Sequence, residues 1–333
     1  MRKEALFWKT IKDKTLRCEL CPRFCMIPEG KRGNCGVREN DDGKLISLVY
    51  GKPLSLNLDP IEKKPLYHFL PAERTLSFGT AGCNFHCLYC QNYEISQCKL
   101  EMLPATFMMP EEIVKLCKEE KSRIISYTYT EPTIFYEYML DTSKLAVKEK
   151  IRNVIVSNGF INQIPLKKIL PSIDAANIDI KGNAEFYKKV AGAFIEPVLE
   201  TLKELKRKKV WIEVTNLLVP TLNDSEKDIN WIVKWISDNL GPETPVHFSA
   251  FWPTYKMKNI PSTSLQALRN ARKIALKKLD YVYTGNLPDE EGNNTYCPKC
   301  KKLLIKRIGF QVVQNKIING KCPCGEKIPG VWK

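Results

Sequence analysis

The sequence lacks any long apolar run. Its 333 residues contain no stretch close to the roughly 20 apolar residues that a membrane-spanning helix needs. Residues 1–10 have neither an uninterrupted apolar core nor a small-residue cleavage site, so we expect no signal peptide. The chain also has no internal repeat and no low-complexity tract. These absences predict a cytoplasmic protein with no membrane partner.

The composition is that of an ordinary globular protein. Hydrophobic residues make up 44% of the chain and charged residues 27%, and the length allows one large domain with small appendages. The net charge of +15 permits an acidic partner such as RNA, an anionic protein surface or an anionic cofactor. Most of this charge is predicted to be solvated surface, because runs such as Lys206–Lys209 lie near a predicted helix end, where basic residues suit the helix dipole.

Eleven of the thirteen cysteines fall into three groups. In a reducing compartment, grouped cysteines indicate metal sites more often than disulfides. Cys98 and Cys117 stand apart, and we expect them to be inert thiols. The groups are the N-terminal set of Cys18, Cys21, Cys25 and Cys35, the central loop with Cys83, Cys87 and Cys90, and the tail set of Cys297, Cys300, Cys322 and Cys324.

The central loop follows an apolar run over residues 74–79 that is predicted to be a buried strand. Its three thiolates are one ligand short of the four that a [4Fe–4S] cluster normally takes from protein. One iron would then be open to bind a substrate or cofactor. Structural zinc usually has four ligands in C-x2-C pairs, and a disulfide would leave one cysteine over, so both alternatives fit less well.

The N-terminal set has the spacing Cys18-x2-Cys21-x3-Cys25-x9-Cys35 and lies in a glycine-rich segment. Four thiolates serve zinc or a second iron–sulfur cluster equally well, so both metals remain open, with zinc slightly preferred. Buried structural thiols are the weaker alternative.

The tail set has the spacing Cys297-x2-Cys300, then 21 residues, then Cys322-x-Cys324, which is typical of a zinc ribbon. The segment from residue 296 is too short to form a stable hydrophobic core of its own without a metal ion or a covalent cross-link. We therefore expect one structural zinc here. A disulfide hairpin and a metal-free tail are the alternatives.

Strand-like and helix-like segments alternate from residue 74 to about residue 284. Strands are predicted at 74–79, 123–129, 153–157, 175–180, 210–218, 246–251 and 281–283, and helices at 110–121, after Pro132, and at 184–207, 224–240 and 264–278. This repetition predicts a parallel sheet with helices packed outside it. The sheet would either close, or nearly close, into a barrel, or it would stay open and doubly wound. The chemistry of such folds gathers at the carboxyl ends of the strands.

The central loop matches the pattern C-x3-C-x-(aromatic)-C with Tyr89 as the aromatic residue, and so resembles the radical S-adenosylmethionine (SAM) superfamily. The resemblance implies an α/β fold, a partial (β/α)6 barrel, with Cys-rich N-terminal and C-terminal metal-binding appendages. The expected segments are residues 1–73, 74–286 and 287–333. It also implies a [4Fe–4S] cluster whose open iron chelates SAM. An electron from a flavodoxin- or ferredoxin-like donor would cleave SAM to a 5′-deoxyadenosyl radical, which abstracts hydrogen.

Two further motifs carry the resemblance in the first half of the barrel. Residues 128–133 fall where the superfamily usually has Gly-Gly-Glu, so Glu131 would accept the SAM amino group. A charge at a helix N-terminus is the alternative for this residue. Ser157 and Asn158 resemble the Asn-Gly turn of glycyl-radical activating enzymes, which would contact the SAM ribose or carboxylate. A plain turn is the competing interpretation.

In the second half, Asp179-x-Lys181 matches the Asp-x-Lys of the same group, with Lys181 as a partner for the SAM carboxylate or ribose. His247 resembles a strand-six residue that touches SAM, although a satisfied core histidine is an equal alternative.

The overall pattern resembles that of the radical SAM enzyme of the AmmeMemoRadiSam system, a relative of pyruvate formate-lyase activating enzymes. It spans nearly the whole chain through residues 18–35, 59–68, 127–133, 177–182 and 284–286. The implied function is radical chemistry on a protein, as in glycyl-radical activation. The alternatives are radical SAM modification of RNA or a small metabolite, and a non-catalytic zinc-ribbon protein that binds nucleic acid. The last leaves the central loop and Glu131 unexplained.

Overall fold

The structure is a computed structural model that describes residues 2–104 and 106–333. The strands are β1 (Lys3–Glu4), β2 (Trp8–Lys12), β3 (Thr15–Cys18), β4 (Met26–Ile27), β5 (Arg38–Asp41), β6 (Lys44–Ser47), β7 (Ser55–Pro60), β8 (Arg74–Gly79), β9 (Ile124–Tyr127), β10 (Arg152–Ser157), β11 (Ala175–Asp179), β12 (Trp211–Leu218), β13 (Val246–Ala250), β14 (Val282–Gly285), β15 (Thr295–Tyr296), β16 (Leu303–Ile308) and β17 (Gln311–Asn315). The helices are α1 (Tyr93–Ser96), α2 (Pro110–Glu119), α3 (Tyr136–Lys148), α4 (Gln163–Ile169), α5 (Ala184–Phe186), α6 (Glu196–Arg207), α7 (Glu226–Leu240) and α8 (Leu265–Ala275).

The largest sheet has eight strands in the order β14-β13-β12-β11-β10-β9-β8-β7. The pairs β8–β9, β9–β10, β12–β13 and β13–β14 run parallel. Strands β9 and β13 are buried along their whole length, as expected for a parallel sheet covered on both faces. The strand order never reverses, whereas a doubly wound sheet has a reversal point. The α/β prediction is therefore confirmed, and the doubly wound alternative is wrong.

Local signals place most helix boundaries. The side chain of Ser225 accepts a hydrogen bond from the Asp228 amide at the start of α7, and Ser264 caps α8 in the same way. The predicted helix over 184–207 is wrong in one respect, because it is broken between α5 and α6. A π-turn at Tyr187–Ala191 ends at Gly192, which has φ 65°, and α6 then begins with a proline in its first turn.

The chain divides into two compact units. The first unit comprises Met1–Asp59, Arg74–Ala176 and Glu196–Thr201, and the second comprises Pro60–Glu73, Asn177–Ile195 and Leu202–Lys333. The three-segment division predicted from the sequence stays a prediction. Within the described ranges, 2–104 and 106–333, no helix has both the length and the apolar character needed to cross a bilayer.

In the first unit, the N-terminal residues form two small sheets of three strands, β2-β3-β4 and β1-β6-β5. The turn Asp42-Gly43 joins β5 to β6 in a hairpin, and both turn residues have positive φ, as a type I′ turn requires. Arg38 at the start of β5 forms a buried ion pair of 2.7 Å with Glu137 of α3. This pair anchors the N-terminal sheets to the unit's helical layer.

In the second unit, the tail forms the sheet β15-β16-β17. Its apolar side chains do not make a separate core. They are buried in one cluster together with aromatic residues from elsewhere in the unit, namely Tyr67, Tyr281 and Tyr283. Near the chain end, Val331 exchanges backbone hydrogen bonds with His68 and Leu70, at 2.8 and 2.7 Å. The tail is thus integrated into the second unit along two edges.

Candidate cluster and cofactor site

The central loop begins where β8 ends. Gly82 has φ 90°, and a Cβ added there would lie 2.6 Å from the Cys35 carbonyl oxygen and 2.7 Å from the Val37 side chain. Only glycine tolerates both this φ and this close approach. The loop therefore starts in direct contact with the N-terminal cysteine segment, a feature that the spacing of the cysteines did not reveal.

Hydrogen bonds within the central loop are directed at its sulfur atoms. The Phe85 amide donates to the Cys83 Sγ at 3.3 Å, and the Cys90 Sγ lies 3.1 Å from the Ser96 hydroxyl. None of the chain's thirteen cysteines is in a disulfide. Donors of this kind stabilise metal-bound thiolates and tune iron–sulfur clusters. Ser96 was not singled out from the sequence.

Burial raises the pKa of the Cys83 thiol well above its usual range, and the negative charge of nearby Glu131 acts in the same direction. A bare thiolate is therefore strongly disfavoured at this position. The positive charge of a bound metal reverses this preference, since metal ligation deprotonates a thiol. The chemistry of the donor set thus fits a metal cluster at the central loop.

Glu131 is a buried acceptor with four donors. Its Oε1 accepts hydrogen bonds from the Thr133 amide at 3.0 Å, the Thr133 hydroxyl at 2.7 Å and the Ser157 hydroxyl at 2.7 Å. Its Oε2 accepts from the Asn158 amide at 2.8 Å. Burial raises the pKa of this carboxyl, while the hydrogen bonds oppose the rise. Glu131 also caps the short 3-10 helix Pro132–Phe135, as the helix N-terminal alternative predicted.

Asn158 connects this carboxylate to the central loop. Its side-chain amide donates to the Asn84 side chain at 2.8 Å and lies 3.9 Å from the Cys83 Sγ. The Asn84 amide in turn donates to the Phe160 carbonyl at 2.9 Å. The structure therefore brings Cys83, Glu131, Ser157 and Asn158 into one hydrogen-bonded network in the first unit.

Asp179 and Lys181 form a local pair in the second unit. The Lys181 ammonium lies 2.6 Å from the Asp179 carboxylate, and the Lys181 side chain is only 12% exposed. The Asn223 amide donates to the Lys181 carbonyl at 2.6 Å and so fixes the backbone just past β11. The predicted Asp-x-Lys motif is thus a rigid ion pair at a strand's carboxyl end.

His247 is buried in a polar and aromatic network. Its Nε2 lies 2.6 Å from a Glu213 oxygen, and its ring stacks on Tyr283 with centroids 5.1 Å apart. Glu213 also accepts hydrogen bonds from the Tyr67 and His68 amides, at 2.9 and 2.7 Å. Burial alone would raise the pKa of the Glu213 carboxyl, but the hydrogen bond with His247 outweighs burial and lowers this pKa. This geometry favours the core-histidine alternative.

The tail set has the geometry of a single-ion site. The four sulfurs all lie within 4.8 Å of one another, and the pairs Cys297–Cys324 and Cys300–Cys322 have Sγ–Sγ distances of 3.7 Å. A tetrahedron of sulfurs around zinc at about 2.3 Å has edges of about 3.8 Å. The Lys302 amide lowers the pKa of Cys300 to about 7, which favours a thiolate ligand. A four-thiolate ion fits this tail.

The N-terminal set is arranged differently. Its four cysteines surround one small cavity in the first unit, and burial raises the pKa of Cys21 to about 12 and of Cys35 to about 11. Among the described residues, the tail set is the group of cysteines found close enough together to hold a single ion, and neither the N-terminal set nor the central loop is found as such a group.

Comparisons with known proteins give a consistent picture. Residues 78–236 match the family model described as the radical SAM superfamily. An uncharacterized protein of Methanocaldococcus jannaschii is 49% identical over 330 residues, which cover 98% of both chains. The pyruvate formate-lyase-activating enzyme of Clostridium pasteurianum is 25% identical over 175 residues, covering 50% of this chain and 71% of that enzyme.

A solved structure shares the fold. SuiB of Streptococcus suis, in a crystal structure with S-adenosylmethionine, superposes with a TM-score of 0.50 at 13% identity, covering 67% of this chain and 52% of SuiB. Membership of the superfamily implies an enzyme with a [4Fe–4S] cluster and SAM, and the narrower AmmeMemoRadiSam resemblance stays a prediction. On the central cysteine loop, the parallel sheet and the matched family model, this chain belongs to the radical SAM superfamily.

Proposed function

We propose that this protein cleaves SAM reductively and uses the resulting radical to abstract hydrogen from a protein substrate. Cys83, Cys87 and Cys90 would hold three irons of a [4Fe–4S] cluster. When bound, the cluster and SAM supply a 5′-deoxyadenosyl radical. The observation that carries the proposal is the Asn158 side chain, which lies 3.9 Å from the Cys83 sulfur while its backbone amide donates to Glu131.

The protein's own groups would orient the cofactor. Glu131 is a buried carboxylate beside the cluster ligands. Within the part of the chain that the structure describes, its Oε2 accepts from one donor, the Asn158 amide, so this oxygen can also accept from the SAM ammonium. Ser157 and Asn158 would position that carboxylate and contact the SAM ribose or carboxylate. Asp179 holds the Lys181 ammonium, which would pair with the SAM carboxylate. His247 is the weakest member of the predicted set, because its Nε2 is committed to Glu213.

The groups that donate hydrogen bonds to the ligand sulfurs would tune the cluster. The Phe85 amide and the Ser96 hydroxyl reach Cys83 and Cys90, and hydrogen bonds to ligand sulfurs stabilise the reduced state of such clusters. Tyr89 is 5% exposed within the loop and would help to exclude water from the irons.

A protein substrate and a protein electron donor fit the chain's surface charge. The Clostridium pasteurianum relative is named for activating pyruvate formate-lyase, and by analogy a glycyl-radical enzyme is the substrate class proposed here. A flavodoxin- or ferredoxin-like protein would supply the electron, and the net charge of +15 suits an acidic donor. The same charge favours RNA as the second substrate class, which strongly salt-dependent tRNA binding would reveal.

The decisive experiment is mass spectrometry of 5′-deoxyadenosine after anaerobic reduction of the protein with SAM and a deuterated candidate substrate. We expect 5′-deoxyadenosine from the wild type, carrying deuterium when the substrate is correct. Cys87→Ala should produce none, whereas the matched control Cys98→Ala, outside the three cysteine groups, should behave as wild type. Full SAM cleavage by Cys87→Ala would refute the assignment.

The tail set is proposed to bind one structural zinc. Its four sulfurs leave no open ligand position, so the ion would hold the tail sheet against the aromatic cluster of the second unit rather than act on a substrate.

A further inference from the structure

The tail (residues 296–333) carries about half of the net charge of the chain. It holds nine of the 52 lysines and arginines and one of the 37 acidic residues, so its net charge is +8 out of +15. Arg307 is buried and lies 3.6 Å from the Glu62 carboxylate, which leaves eight lysines as the exposed positive charge of the tail. The excess positive charge of the chain is therefore concentrated on one small sheet and its loops.

These lysines have few acidic neighbours. Elsewhere in the chain an exposed lysine commonly has one, as Lys189 has Glu185 at 2.6 Å. Among the residues that the structure describes, a single tail lysine is in an ion pair, Lys299 with Glu326 at 3.8 Å. The repulsion between the remaining like charges is relieved when an anionic partner binds to them.

The hairpin of β16 and β17 presents one face to solvent. Lys306 and Ile308 flank the buried Arg307 along β16, so they share the outer face. Their cross-strand partners on β17 are Gln314 and Gln311, which are also exposed. Neither strand contains an acidic residue. The outer face thus combines a positive charge, an apolar side chain and two amides.

Large apolar side chains are exposed among the lysines. Ile308, Phe310, Val313 and Ile318 all lie within one short stretch of the tail. Phe310 occupies the tip of the hairpin, between the end of β16 and the start of β17. Proteins that bind single-stranded nucleic acid combine a positively charged surface with aromatic side chains on which the bases stack. The tail hairpin has both of these features.

A nucleic acid fits this surface better than an acidic protein does. Lysine is depleted in protein–protein interfaces, whereas interfaces with nucleic acid are much more positively charged. A phosphate backbone has one sign of charge along its whole length, which matches eight lysines beside one acidic residue. A duplex keeps its bases stacked on one another, so the exposed Phe310 favours a single strand.

We propose that the tail hairpin binds single-stranded nucleic acid, with its lysines on the phosphates and Phe310 stacked on a base. Phosphate contacts and stacking do not read the identity of the bases, so the binding is independent of sequence. It is also independent of the proposed radical chemistry. If RNA is the substrate of that chemistry, the tail holds the strand on the enzyme, and this role alone rests on the proposed function.

The charge is tested by fluorescence anisotropy of a labelled single-stranded oligoribonucleotide at rising salt concentration. We expect the logarithm of the affinity to fall against the logarithm of the salt concentration with a slope of about −3, for four contacted phosphates. The tail variant Lys302→Gln, Lys306→Gln, Lys316→Gln should bind at least about tenfold more weakly, with a slope smaller in size by about 2. The control variant Lys115→Gln, Lys144→Gln, Lys148→Gln removes the same charge from exposed positions of α2 and α3 and should bind as the wild type does.

The stacking is tested at the tip of the hairpin. Phe310→Ala should weaken binding at least about fivefold, through loss of one stacked base, and Phe310→Tyr should bind as the wild type does. The RNA duplex of the same sequence should bind more weakly than the single strand. A zinc content equal to that of the wild type identifies the variants whose tail is folded.

Four results overturn the proposal. They are no binding of the oligoribonucleotide at low salt, equal weakening in the tail and control variants, unchanged affinity in Phe310→Ala, and equal affinity for the duplex. If the tail variant instead loses affinity for an acidic flavodoxin and keeps its affinity for RNA, the surface docks a protein and the proposal is wrong. The wild type's cleavage of SAM without RNA tests the proposed function, and its binding of RNA without SAM tests the tail, so the two ideas fail separately.

Discussion

Glu131→Ala tests the hydrogen-bonded network that links the predicted SAM site to the central loop. The substitution removes an acceptor that serves four donors, of which two are backbone amides, those of Thr133 and Asn158. The hydroxyls of Thr133 and Ser157 can turn to other acceptors, but the two amides cannot. Each buried donor left unsatisfied costs about 1–3 kcal/mol, so the free energy of unfolding should fall by about 2–6 kcal/mol.

Glu131→Gln separates the structural role from the charge. Glutamine keeps a carbonyl oxygen for the donors now on Oε1 but places an amide against the Asn158 amide, so about one hydrogen bond is lost. We expect a loss of about 1–3 kcal/mol, smaller than that of the alanine variant. Because glutamine has no charge, SAM affinity should still fall more than about tenfold, through loss of the charge-assisted hydrogen bond to the SAM ammonium.

The free energy of unfolding is measured by urea unfolding followed by circular dichroism, and the SAM affinity is measured separately by calorimetric titration. Glu119→Ala, an exposed change on α2, is the control and should alter neither by more than about 0.5 kcal/mol. A loss below 1 kcal/mol in Glu131→Ala would refute the network. Unchanged SAM affinity in Glu131→Gln would remove the carboxylate from the SAM site while leaving its structural role intact.

Three further predictions concern the central loop, the second unit and the tail. Gly82→Ala should destabilise the protein by at least about 1 kcal/mol more than Gly30→Ala in thermal unfolding, which is the cost of one strained backbone contact. Both glycines have positive φ, but only at Gly82 would an added Cβ lie within 3 Å of a backbone atom. Equal losses of stability in the two variants would contradict this. Burial lowers the pKa of His68 to about 4, below its unfolded value, so stability is lost as the pH falls from about 6.5 toward 4. From pH 7 to pH 5 the wild type should lose about 2 kcal/mol more than His68→Gln in urea unfolding, and parallel losses would argue against a buried neutral imidazole. Cys300→Ser should release the tail zinc and leave the iron content unchanged by element analysis, and retention of zinc would refute the four-thiolate site.

The sequence could predict the elements and the cysteine sets because both are local. Apolar runs placed strands β8 to β14 to within two residues, and the helix expected over 224–240 matches α7. The break before α6 escaped the prediction because the helical pattern continues past Gly192, and a single left-handed residue decides where the helix ends. The tail pattern and the spacing of its cysteines predicted a site that the 3.7 Å sulfur distances fit.

The spacing of the cysteines by itself put eleven of them into three groups, and in the central group one short loop holds the three thiols together. Only the tertiary structure decided what surrounds them. Glu131 meets Asn158 across 27 positions, His247 meets Glu213 across 34, and Asn34 meets His86 across 52. Such contacts depend on where separate strands and loops end in space. The local periodicity of the sequence does not predict these positions. Arg38 is buried, and its Nε and Nη1 have no hydrogen-bond partner among residues 2–104 and 106–333. This burial is a property of the packed unit, because the guanidinium is desolvated only after α3 and the N-terminal sheets come together.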